Sequence, residues 1–88
     1  MDARTLRQAI VDGLEAGGVG RINAKRIRDA FLAGDVDLTL AELDMDSLAR
    51  MELCIAIELS TGISLVPEEL GRHRTLGELA REIEGRCR

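Results

Sequence analysis

Ser47 is the residue most able to do chemistry in this chain. It sits in the run Leu43-Asp44-Met45-Asp46-Ser47-Leu48, followed by Met51-Glu52-Leu53 and Ile57-Glu58. A serine hydroxyl is a weak nucleophile unless a base takes its proton. The sole histidine, His73, lies in Arg72-His73-Arg74, which reads as an exposed loop with a solvated imidazole. Ser47 therefore reads as an acceptor that a second enzyme modifies. Asp46 is an N-cap candidate for the helix that follows. Free backbone N–H groups and the positive end of the helix dipole at such a start favour a phosphate. Ser60 and Ser64 lie instead at and beyond the far end of that helix.

Other chemistries fit less well. Cys54 and Cys87 are too few and too isolated for a zinc site or a disulfide framework. Cys54 lies in an apolar run and reads as a small core residue, Cys87 as part of a frayed terminus, and together they suit a reducing, cytoplasmic setting. Asp35, Asp37 and Thr39 have the alternate spacing of a calcium loop's first ligands, with Asp46 at the twelfth position. Leu40, however, stands where that loop needs glycine, and Asp46 is shorter than the usual bidentate glutamate.

The elements that must position Ser47 read as helices. Leu6, Ile10 and Leu14 recur every four residues and predict a helix over 3–16, stopped by Gly17, Gly18 and Gly20 in a flexible turn. Asn23 is the predicted N-cap of a short helix over Lys25–Leu32 with Ile27, Ala30 and Phe31 on its apolar face, ended by Gly34. Residues 35–46 form a long acidic connection anchored by Leu38, Leu40 and Leu43, and Thr39 with Glu42 has capping-box spacing for one short turn. A helix over 47–60 follows, closed by Gly62. Pro67-Glu68-Glu69 predicts one more turn. Thr75 with Glu78 opens a last helix to about residue 85, with Leu76, Leu79, Ala80 and Ile83 inward.

With 88 residues, 45% hydrophobic and 32% charged, and a single aromatic, Phe31, the chain predicts one all-α domain spanning 1–88. The expected fold is a small four-helix-type bundle with a long loop before helix 47–60 and an extra short helix in the N-terminal half. The longest apolar stretches are a few residues, which predicts no membrane span. The formal net charge of −4 disfavours nucleic acid. That charge is unevenly placed: residues 35–58 hold Asp35, Asp37, Glu42, Asp44, Asp46, Glu52 and Glu58 against Arg50 alone. Such a segment suits a basic partner surface.

Helix 47–60 carries two apolar faces. With Ser47 at zero and about 100° per residue, Ala49, Leu53, Ala56 and Ile57 cluster between about 180° and 280°, and Leu48, Met51, Ile55 and Leu59 between about 40° and 120°. The first is the core face. The second, flanked by Glu52 and Glu58, is either an interface or a further buried stripe, and helical geometry alone leaves both open.

Taken together, the run from Leu43 to Glu58, the later Pro-Glu-Glu turn and the capped last helix resemble the acyl carrier protein family over about residues 40–84. The resemblance implies that Ser47 receives 4′-phosphopantetheine from coenzyme A and that Asp46 helps the transferase engage. It implies that Asp44, Leu48, Met51, Glu52, Ile55 and Glu58 meet partners, and that Leu53 and Ile57 line the acyl-binding core. The implied partners are a phosphopantetheinyl transferase and acyltransferase, ketosynthase or ligase-type enzymes. The implied protein is a monomeric carrier and not an enzyme. The family usually has glycine where Asp44 stands. Milder acidity than fatty-acid carriers and the added basic helix point to polyketide or other specialised-metabolite assembly, with fatty-acid or peptidyl carriage as alternatives. An unmodified docking adaptor, in which Ser47 merely starts a helix, is the reading of a different class. The Met1 start leads us to expect a free-standing chain.

Overall fold

The computed structural model describes residues 2–86. Its helices are α1 (Ala3–Ala16), α2 (Lys25–Ala33), α3 (Leu40–Leu43), α4 (Ser47–Thr61), α5 (Pro67–Leu70) and α6 (Leu76–Arg86), with a 3-10 turn at Gly20–Asn23. Four of them exceed two turns, and α3 and α5 are single turns. The all-α bundle is therefore as the sequence predicts.

Caps set most boundaries. Asp2 accepts from the Thr5 N–H at 2.7 Å and opens α1, and Thr39 accepts from the Glu42 N–H and opens α3. Gly34 and Gly62, both left-handed, end α2 and α4. Asn23 is a correction. It ends the 3-10 turn that buries Ile22, which moves the helix start on, so Ala24 takes the N-cap position of α2 with no side-chain hydrogen bond.

The core is aliphatic around one ring. Leu6, Ile10 and Leu14 of α1, Leu53 and Ile57 of α4, and Leu76, Leu79 and Ile83 of α6 are buried with Phe31 of α2. Arg7 ties α1 to α2: its guanidinium donates to the Phe31 carbonyl at 3.0 Å and stacks 4.8 Å from the ring centroid.

The long connection is pinned at its middle. Leu38, Leu43 and Met45 are buried. Leu40 donates to the Arg74 carbonyl and Leu76 to the Leu38 carbonyl. Asp37 Oδ1 accepts from the Leu38 and Gly77 N–H groups, both at 2.8 Å, so a residue 40 positions away helps cap α6. No cluster of three or more potential metal ligands exists among the described residues. Partial burial works to raise the Asp37 pKa, but hydrogen bonds from Thr75, Gly77 and Leu38 outweigh it and hold the carboxyl below its usual range. The sign follows from linkage: stability from a depressed carboxyl is present above its unfolded pKa of about 3.9 and is lost as pH falls through the lower folded value. Asp37→Ala should cost about 1 kcal/mol at neutral pH, the usual scale for a lost cap. Denaturant melts at pH 7 and pH 3 check this, and the difference from wild type should shrink at the lower pH.

Candidate functional site

The site is built around the start of α4. Leu43 and Met45 point into the core while Asp44 and Asp46 are exposed. This in-out alternation delivers the chain to Asp46, whose Oδ1 accepts from the Ala49 N–H at 2.7 Å. Asp46 is thus the cap, and Ser47 is the first helical residue. Its side chain is exposed and its hydroxyl has no hydrogen-bonding partner among the described residues. Asp44, at φ 49° and ψ 51°, is the one non-glycine residue described with positive φ. Aspartate tolerates this left-handed conformation better than most residues, which gives a physical reason for glycine at that position in the family.

The two faces of α4 are resolved. Leu53 and Ile57 are 0% exposed and Ala49 is 2% exposed, whereas Leu48, Met51, Ile55 and Leu59 are 60, 51, 43 and 83% exposed. The second stripe is therefore uncovered in this chain. Glu58 is exposed beside it and accepts from the Ser64 hydroxyl, and Glu52 is half-buried. Met51→Glu and Ile55→Glu should each leave the helical circular dichroism and melting midpoint close to wild type. Leu53→Ala should cost roughly 2–5 kcal/mol, because it empties a buried leucine site. Unfolding of all three alike would show the second stripe to be core.

Two clefts flank Ser47. One is lined by Ser47, Arg50, Met51, Pro67 and Glu68. The other is lined by Gly17, Gly20, Glu42 and Asp44 together with Asp46, the residue before Ser47. Glu68 lines the first cleft and Glu42, Asp44 and Asp46 the second, and none of these carboxylates hydrogen-bonds to the Ser47 hydroxyl among the described residues. His73 corrects the sequence reading: it is half-buried rather than freely solvated, with Nε2 2.6 Å from Glu82 Oε2. Cys54 is buried as expected, and burial, aided by Glu69 and Glu68, pushes its thiol pKa up. It is a core side chain with little thiolate character. The reading of Cys87 lies outside the described residues.

Sequence reasoning missed two glycines that hold the site's helix. A Cβ on Gly13 would meet the Leu53 Cα and Ala56 Cβ at 2.9 Å, and one on Gly17 would meet the Ala49 Cα at 2.7 Å. Bare glycines thus let α1 lie directly against α4. The spacing Gly13, Gly17 was the available signal, one helical turn apart on the apolar side.

The bundle thus presents an exposed serine hydroxyl at a capped helix start. A model described as the phosphopantetheine attachment site matches residues 25–83, more than half of the chain, and the chain belongs to that family. It is a phosphopantetheine-carrying carrier protein, and its prosthetic group is covalent 4′-phosphopantetheine. The match begins at the first residue of α2, so the short helix that reads as an addition lies inside the family's span. No curated protein and no solved structure matches the chain. No helix among the described residues is long and apolar enough to cross a membrane.

Proposed function

We propose that Ser47 is the attachment residue and that the protein acts as substrate and shuttle for other enzymes, not as a catalyst. The observation that carries this reading is the exposed, unpartnered Ser47 hydroxyl at the Asp46-capped start of α4. The residues fit the group: the first N–H groups of a 15-residue helix favour a phosphate there. When bound, 4′-phosphopantetheine supplies a terminal thiol that holds an acyl group as a thioester. Asp46 fixes the helix start, and Leu48, Met51 and Ile55 offer a transferase and later enzymes an apolar patch beside the serine. Leu53 and Ile57 give the acyl chain's side of α4 an aliphatic lining. The test is intact mass after incubation with coenzyme A and a broad-specificity phosphopantetheinyl transferase. The carrier gains the arm's mass, and an unmodified adaptor gains nothing.

Partner recognition on this reading is electrostatic as well as apolar. Asp44, Asp46, Glu52 and Glu58 surround the serine and the stripe, which suits Arg or Lys at a partner's entrance. Rim charges of this kind act mainly on encounter rate and lose force above roughly 0.1 M salt, where the screening length is about 10 Å. Initial loading rates should fall several-fold between low and high salt, and Glu52→Lys or Glu58→Lys should mimic the fall. Asp44→Asn tests that acid without changing the demand for positive φ, which Asp44→Gly would relax. Rates indifferent to salt and to these charges would show that shape alone selects the partner.

For the pathway, assembly of polyketides or other specialised metabolites through acyltransferase, ketosynthase or ligase-type partners is the reading favoured here. The milder net charge of −4 supports it. The protein on this reading works as a cytoplasmic monomer.

A further inference from the structure

Arg50 stands out by charge and place. It is the sole Lys or Arg between Arg28 and Arg72, inside the most acidic part of the chain. It is exposed, one helical turn after Ser47, and its side chain makes no hydrogen bond or ion pair among the described residues. Arg21 pairs with Glu42, Arg28 with Glu15, and Arg86 with Glu69 and Glu82, while Lys25, Arg26 and Arg81 share with Arg50 a side chain without a partner among the described residues but lie outside the acidic segment. Glu68 lines the same cleft as Arg50 but does not pair with it.

The clefts show where that charge would act. On one side Arg50 borders the cleft of Ser47, Met51, Pro67 and Glu68. On the other it borders a second groove, bounded by α3, α4 and α5, where Leu40, Met45 and Leu70 supply apolar surface. Met45 and Leu70 are buried. A group tethered at Ser47 and lying along α4 toward this groove must pass Arg50. A cation is also poorly placed for a basic partner reading this face, because like charges across an interface repel. An anion delivered by the arm itself would remove that penalty.

We infer that Arg50 is an anion-holding residue for the loaded arm, pairing with a carboxylate or phosphodiester that the arm brings past it. The inference rests on attachment at Ser47. The anion has two sources, the phosphodiester at the arm's base and a free carboxylate on the cargo, as in a dicarboxylic half-thioester. Guanidinium geometry suits both, since its N–H fork matches the paired oxygens of carboxylate and phosphate.

The test uses protein loaded with the bare arm, with an acetyl group, and with malonyl and succinyl groups. Two resonances are read: the phosphorus signal of the arm in wild type and in Arg50→Gln, and the Arg50 Nε–H signal across the wild-type series. Arg50→Gln places a good helix former at an exposed site, and circular dichroism verifies its fold. A phosphorus shift between wild type and Arg50→Gln, lost in high salt, assigns the phosphodiester. A shifted Arg50 Nε–H in malonyl- or succinyl-loaded protein relative to acetyl-loaded protein assigns the cargo carboxylate. The acetyl form controls for mere proximity of the arm. If neither resonance responds while peptide mapping places the arm on Ser47, the Arg50 inference is overturned and the attachment reading stands. An arm mapped to another residue overturns both.

Discussion

Ser47→Ala should lose phosphopantetheine loading completely and keep its fold. The loss is total because no other serine offers the same geometry. Ser60 sits in the last turn of α4, and the Ser64 hydroxyl is engaged with Glu58. The fold persists because Ser47 is exposed and makes no side-chain hydrogen bond among the described residues. Asp46 provides the cap. Removing a true Ser or Asp cap costs about 1 kcal/mol, so Asp46→Ala should lower stability where Ser47→Ala does not. Intact mass and thermal melts on the two variants separate the roles. A Ser47→Ala protein that still gains the arm's mass would move the site elsewhere.

Gly13→Leu should unfold the protein or nearly so, and Gly13→Ala should destabilise it by about 1–2 kcal/mol. Two effects oppose each other at Gly13. Alanine is a better residue than glycine inside a helix by about 0.5–1 kcal/mol. Against this, the added Cβ would lie 2.9 Å from the Leu53 Cα, and backbone cannot swing aside as a flexible side chain can. Overpacking of that kind costs about 1–3 kcal/mol per site, so the clash wins. Leucine enlarges it at the same place, against a total stability of roughly 5–10 kcal/mol expected for a domain of this size. Gly17→Ala should behave like Gly13→Ala, since its Cβ would meet the Ala49 Cα at 2.7 Å. Gly17→Ala should also slow loading, because Ala49 lies two residues beyond Ser47. Denaturant titration checks the stability order, and stability equal to wild type would mean that α1 and α4 separate freely.

What the sequence made legible were features written locally. The caps at Asp46, Thr39 and Thr75, the glycines ending α2 and α4, and the fourfold repeat of Leu6, Ile10 and Leu14 each lie within a few residues of what they determine. The features missed depend on partners far along the chain. Asp37 reads as a loop acid until α6 brings Gly77 to it, and His73 reads as solvated until Glu82 reaches its Nε2. Gly17 reads only as a helix stop, and Gly13 draws no notice, because their purpose lies on α4. The exposure of Leu48, Met51, Ile55 and Leu59 was open for a related reason: a helical wheel shows that a face is apolar but not whether another helix covers it. Asn23 failed differently, because the buried Ile22 drew the chain into a 3-10 turn that moved the helix start beyond it.

The most direct measurement is fragmentation mass spectrometry of the wild-type chain after loading from coenzyme A. The account predicts that every fragment containing Ser47 carries the arm's added mass and that fragments confined to Ser60, Ser64 or Cys54 carry none. An arm located on any of those residues, or no added mass at all, would contradict it.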